Sequence, residues 1–129
     1  MEEQDILNLE TGTKEIESLK SSMVNIVKIS VETVKKKGED TIIGNKAVFE
    51  VKHPAREELI KISSIKYKKK DQFVVSGSWI NLDEDNKLRK GSVLANFIGF
   101  NNKTFLNELL TEYIETVEDG MGFLCFKSY

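Results

Sequence analysis

Residues 59–82 set the tightest limit on what this chain can fold into. They read Leu-Ile-Lys-Ile-Ser-Ser-Ile-Lys-Tyr-Lys-Lys-Lys-Asp-Gln-Phe-Val-Val-Ser-Gly-Ser-Trp-Ile-Asn-Leu, two β-prone apolar runs on either side of a polar turn. Successive side chains of a strand point to opposite faces. Leu59, Ile65 and Tyr67 therefore share one face, and Ile60 and Ile62 the other. Beyond the turn, Phe73, Val75 and Trp79 oppose Val74, Ile80 and Leu82. Apolar residues on both faces need cover on both. A sheet gains that cover by curling on itself, as in a small barrel, or by holding helices on one face and a ligand or partner on the other.

The flanking sequence extends the same pattern. Val27, Ile29, Val31 and Thr33 alternate with Lys28, Ser30 and Glu32, and Ala47, Phe49 and Val51 alternate with Lys46, Val48, Glu50 and Lys52. Each run reads as a half-buried strand, and Pro54 ends the second because proline cannot donate to a ladder. Ile114–Glu118 and Phe123–Tyr129, joined through Asp119-Gly120-Met121-Gly122, read as a closing hairpin. Helical spacing predicts short helices over 14–24, 92–98 and 104–113, with Thr13, Ser92 and Thr104 as N-caps. Residues 1–12 read as an acidic, flexible N-terminal arm. The expectation is one α+β domain over 13–129: a mostly antiparallel, curled sheet of about six strands closed on one side by short helices. That strand order resembles oligonucleotide-binding folds at the level of architecture alone.

Charge is segregated along the chain. The net charge of −2 is the sum of −5 over residues 1–19, +7 over 20–70, zero over 71–103 and −4 over 104–129. A basic middle between acidic ends permits contact with a polyanion that an overall acidic balance would oppose. The 17 lysines against 2 arginines, with 9 asparagines, suit an AT-rich genome, as in many bacteria, archaea and their viruses. No apolar run approaches the ~20 residues that span a bilayer. The acidic start lacks the order of a secretory signal, and the single Cys125 excludes an internal disulfide. A cytoplasmic protein, in a host cytoplasm if viral, is expected.

Most site chemistries find no support in the residues. His53 and Cys125 are the only imidazole and thiol and lie far apart in sequence, whereas structural zinc wants four N/S ligands. Asp83-x-Asp85 lacks the glycine and the bidentate glutamate of a calcium loop. His53, before Pro54 and among charged neighbours, reads as a solvated surface residue rather than a triad base. Gly38 and Gly44-Asn45-Lys46 do not have phosphate-loop spacing. No catalytic residue, metal or cofactor is expected.

What remains is the basic–aromatic hairpin. Lys66, Lys68, Lys69 and Lys70 cluster around Tyr67, and Arg89 and Lys90 follow after one loop. Cations that track phosphates beside rings that stack bases are what a sequence-tolerant single-strand binder needs. Tyr67 reads as the exposed stacker, Trp79 as balanced between core and stacking, and Phe73 as core. The expected function is non-enzymatic binding of single-stranded nucleic acid, DNA before RNA. The alternative is a small phage- or viral-type interaction module or inhibitor that works through its acidic termini on a host complex. The acidic arm could dock on a protein partner or lie across the chain's own basic groove. Phe123, Phe126 and Tyr129 could seal a sheet edge or form a homodimer.

Overall fold

The computed structural model describes residues 19–129. The arm expected over 1–12 and the first part of the helix expected over 14–24 lie outside them. Strands β1 (Met23–Lys35) and β2 (Ile42–Lys52) pair antiparallel along most of their length as expected, but Val27 and Val31 are exposed and Val48 is buried, so the alternation read from sequence holds only in part. Ile29 faces Phe49 and Val31 faces Ala47, with a bulge between Ile26 and Lys28. Met23 and Val24, expected at the end of a helix, instead open β1 and pair with Glu115 and Ile114. Val24 and Ile26 enter the core there, which gives the strand more burial than an isolated amphipathic turn.

The central hairpin is where the structure departs most from simple alternation. It consists of β3 (Ile60–Ile62), β4 (Ser64–Lys69) and β5 (Gln72–Gly77). Ser63 separates β3 from β4, and the pairing partner changes there. β3 runs along β2, while β4 runs along β5 and, in parallel, along β7 (Leu124–Ser128). The break resets the parity. Ile62 and Ile65, three residues apart, are both buried in one core. The two-faced apolar pattern therefore reflects a strand interrupted at Ser63 rather than one strand covered on both sides.

With β6 (Tyr113–Glu118) the strands form a seven-stranded mixed sheet in the order β3-β2-β1-β6-β7-β4-β5. The residues after β5 return to β2. Ala47 N–H donates to the Ser78 carbonyl at 2.9 Å and Ile80 N–H donates to that of Asn45 at 2.8 Å. Among the described residues one α-helix, α1 (Val93–Phe100), packs on the sheet. Ser92 caps it as expected, its Oγ accepting from Ala95 N–H at 3.2 Å. Phe97 of α1 meets Phe49 and Phe126 with ring centroids 6.3 and 5.1 Å apart, and Phe49 and Phe126 lie 5.1 Å apart. These three rings tie helix, β2 and β7 together.

The helix expected over 104–113 is a single 3-10 turn, Leu106–Leu109. Of its apolar stripe only Leu109 is fully buried. The chain then turns at Thr111, whose φ is 67°. Thr111 N–H donates to the Ile26 carbonyl, Ile26 N–H donates to that of Glu112, and Tyr113 begins β6 opposite Asn25. Pairing with β1 satisfies these backbone groups and outweighs the helical stripe. The closing hairpin forms as read, with Asp119 Oδ1 accepting from Met121 and Phe123 N–H at 2.8 and 3.2 Å. Among the described residues no helix is long and apolar enough to cross a membrane.

Candidate functional site

Strands β4, β5 and β7 share an outward face whose occupants follow from register. Ile65 and Phe126 are paired and buried, so their neighbours Lys66 and Lys127, also paired, point away from the core. By the same parity Lys68 lies opposite Phe73, and Lys66 opposite Val75, on that outward face. Phe73 is 54% exposed. It touches Tyr129, 38% exposed, at a ring-centroid distance of 4.7 Å and a tilt of 54°. Lys66 Nζ stands 5.5 Å from the centre of the Phe73 ring, and Lys127 Nζ 5.1 Å from that of Tyr129. Lys66 Nζ also donates to the Glu118 carbonyl at 3.0 Å.

Trp79 continues the stripe. It follows Phe73, Val75 and Gly77 at spacings of two, and its half-buried ring lies over two glycines. A Cβ on Gly77 would meet Trp79 Nε1 at 2.9 Å, and one on Gly44 would meet Trp79 Cε3 at 3.4 Å. Lys46, bridged to Trp79 across the strands, places Nζ 5.0 Å from the ring centre. The outward surface thus reads Lys127–Tyr129, Lys66–Phe73 and Lys46–Trp79, each a cation over an aromatic face. Such a contact contributes about 0.5–1 kcal/mol when exposed.

Of the residues singled out from sequence, Lys66, Lys68 and Trp79 belong to this surface. Tyr67 does not: it shares the parity of Ile65, pairs with Val74 and Ser128, and is half-buried. Lys69 has Tyr67's parity, and Lys70 sits at the hairpin tip with φ 56°. Arg89 donates from Nη2 to the Leu82 carbonyl at 3.2 Å on a separate loop, and Lys90 is exposed beside it. Phe73, read as core, is exposed because its parity puts it opposite Lys68 on the outward face. Lys46, Lys127 and Tyr129 were missed. Parity counted back from Trp79 places Phe73 on the face, but Tyr129 arrives only through the parallel β4–β7 pairing, which no local pattern announces.

Two other groups complete the chemistry. His53, read as solvated, is buried: its Nδ1 accepts from Ala55 N–H at 3.0 Å and its Nε2 donates to the Lys20 carbonyl at 2.8 Å. It satisfies backbone groups and does not face the outward surface as a base. Cys125 is buried; burial first, then nearby Asp119, pushes its thiol up to about 11, with Lys66 opposing. Among the described residues no three His, Cys, Asp or Glu side chains are grouped to hold a metal. Comparison of the chain with protein-family models, with curated proteins and with solved structures finds no match to any of them.

Proposed function

We propose that this chain is a non-enzymatic, sequence-tolerant binder of single-stranded nucleic acid, DNA before RNA, built on a small barrel of the oligonucleotide-binding kind. The architectural part is supported by the circuit of strand pairs. β1 pairs β2, β2 pairs β3, β3 continues through Ser63 into β4, β4 pairs β7, β7 pairs β6, and β6 pairs β1. Among the described residues only β4–β7 is parallel, and α1 falls between the central hairpin and β6. Five strands in that circuit, β3 and β4 counted as one, are what a partly open Greek-key barrel requires.

The observation that carries the functional part is the shared face of Tyr129, Phe73 and Trp79, each with its own lysine. A base offers a π-face of any sequence, and stacking contributes about 1–3 kcal/mol per base. That exceeds what the resident ammonium group contributes over the same ring. A base arriving on the ring displaces the ammonium, which then meets the adjacent phosphate. Lys68, exposed on the same face opposite Phe73, would follow the backbone, and Lys70 would add positive charge at the hairpin tip.

The test is polarisation of a labelled oligo-dT titrated at several salt concentrations. Four phosphate contacts from Lys46, Lys66, Lys68 and Lys127 give a slope of log K against log salt of about −3, at ~0.7 per contact on a single strand. Phe73→Ala and Tyr129→Ala each weaken binding about 5- to 150-fold, the equivalent of one lost stack. Arg89→Ala leaves affinity within about twofold. No binding at low salt, or equal effects of Phe73→Ala and Arg89→Ala, overturns the reading.

A further inference from the structure

Strand β1 is paired on one side along its length and on the other only at its start. It meets β6 through Met23, Val24 and Asn25, and Thr111 and Glu112 hold Ile26. Among the described residues nothing pairs that second side from Lys28 to Lys35. The backbone groups that face it follow from β2. Ala47 N–H and the Asn45 carbonyl bond Ser78 and Ile80, on the side of β2 away from β1. In an antiparallel ladder, opposite residues exchange both bonds or neither, in alternation. Val31 and Thr33, opposite Ala47 and Asn45, therefore turn their N–H and C=O groups away from β2, and Ile29 shares their parity. Val31 is 61% exposed, and Phe105, 67% exposed, flanks Ile29 and Val31 together with Leu106 and Leu110. The opposite face of the same stretch carries Lys28, Ser30 and Glu32, all exposed.

We propose that a second copy of this chain adds its own β1 antiparallel along this edge, with the twofold axis at Ser30. Ile29 then exchanges both backbone bonds with Val31 of the second copy. Lys28 faces Glu32 of the second copy, and Ser30 faces its counterpart. These are non-hydrogen-bonded pairs, whose side chains lie closer together. A slip of two residues, the smallest that keeps the bonds, sets Lys28 opposite Ser30 or Val34 and leaves the charges unmatched. Within the chain, Lys28 already lies opposite Glu50 and Glu32 opposite Lys46. The sign of charge therefore alternates across the joined sheet, from Glu50 and Lys28 to Glu32 and Lys46 of the second copy. Charges on an edge commonly repel a foreign strand; these repel strands in other registers and match this one. On the other face, Val31 of the second copy comes to lie opposite Ile29, beside Phe105, Leu106 and Leu110. The contact is isologous and closes as a dimer. It does not depend on the nucleic-acid reading.

The tests use the full chain. In sedimentation equilibrium the mass should rise from 14.7 kDa towards twice that value with concentration. Lys28→Glu sets a carboxylate against Glu32 at both ends of the contact and should weaken association about tenfold, as should Glu32→Lys. Mixed together, the two variants regain both charge pairs and should form a heterodimer as tight as the unmodified dimer. Each swap also opposes Glu50 or Lys46 within its own chain, alone and mixed alike, so recovery on mixing reports contact between copies. Ser30→Cys should close a disulfide between copies on oxidation. A non-hydrogen-bonded pair holds its Cα atoms about 4.5 Å apart, within the range a disulfide spans. Thr33→Cys, displaced from its counterpart along the strands, should not crosslink. A monomer at every concentration up to about 1 mM, an unweakened Lys28→Glu dimer, no recovery on mixing, or equal crosslinking at the two positions overturns the proposal.

Discussion

Gly44 and Gly77 allow the seat of Trp79 to be tested by a pair of substitutions with opposite outcomes. Neither glycine has a positive φ among those found in that region, so alanine meets no backbone strain at either site. Replacing glycine by alanine at a compatible position stabilises by about 0.4–1 kcal/mol through the unfolded chain. At Gly44 the new methyl lies 3.4 Å from Trp79 Cε3, ordinary contact at its tight end. At Gly77 it lies 2.9 Å from Nε1, 3.0 Å from Lys46 Cε and 3.3 Å from Cε2. Lys46 can withdraw, but the indole has only two side-chain torsions and must lift from the strand by several tenths of an ångström. Overpacking of that kind costs about 1–3 kcal/mol. Gly44→Ala should therefore be neutral to slightly stabilising. Gly77→Ala should be less stable than Gly44→Ala by about 1–3 kcal/mol in urea denaturation. Because the chain has a single tryptophan, its fluorescence reads the ring directly. Gly77→Ala should red-shift the emission and raise acrylamide quenching, while Gly44→Ala should do neither. Equal stabilities with identical emission would refute the placement of the ring between the two strands.

Two further outcomes follow from the buried polar groups. His53→Ala leaves the Lys20 carbonyl and the Ala55 N–H without their partner. At ~1–3 kcal/mol for each stranded group, urea denaturation should show a loss of about 2–6 kcal/mol, and a loss below ~0.5 kcal/mol would contradict the assignment. Cys125, with its thiol raised from 9.0 to about 11 chiefly by burial, should resist iodoacetamide at pH 8 in the native protein and react once unfolded. Between these values the native chain keeps a proton that the unfolded chain has released. Stability should therefore fall as pH rises from about 9 towards 11. Cys125→Ala should remove that part of the decline, measured by denaturation across the alkaline range.

The sheet was legible wherever a strand keeps one neighbour along its length. Val31 opposite Ala47, the Ser92 cap and the Asp119 turn all rest on interactions between residues close in sequence, and sequence spacing carries those. What it did not carry was exchange of partners. The break at Ser63 exists because β3 belongs to β2 and β4 to β7, strands that are distant in the chain. His53 looked solvated because its neighbours are charged; its partner Lys20 lies 33 residues away. The stripe from Phe105 to Tyr113 has helical spacing, yet Tyr113 is taken by β1. Half of the candidate surface was visible as Lys66, Lys68 and Trp79. The other half, Lys46, Lys127 and Tyr129, depends on the same long-range pairings.

A lysine-rich hairpin has a plainer explanation, since cations near an edge strand discourage pairing between molecules. That account covers Lys68, Lys69 and Lys70, which crowd the tip of the β4–β5 hairpin. It does not cover the rings. An edge defended by charge gains nothing from Phe73 and Tyr129 in contact with each other on its outer side. Exposure alone does not distinguish them either, because Phe105, Tyr113 and Phe123 are exposed as well. The distinction lies in the company each ring keeps. Significant cation–π contacts occur about once per 70–80 residues, so one or two are expected in the described part of the chain. Three are present, and all three fall on the one face that runs from β7 across β4 and β5 to β2. Edge protection would scatter lysines without regard to rings. On the proposed nucleic-acid reading, pairing each of these three rings with an ammonium group would let a stacked base and its phosphate replace them together.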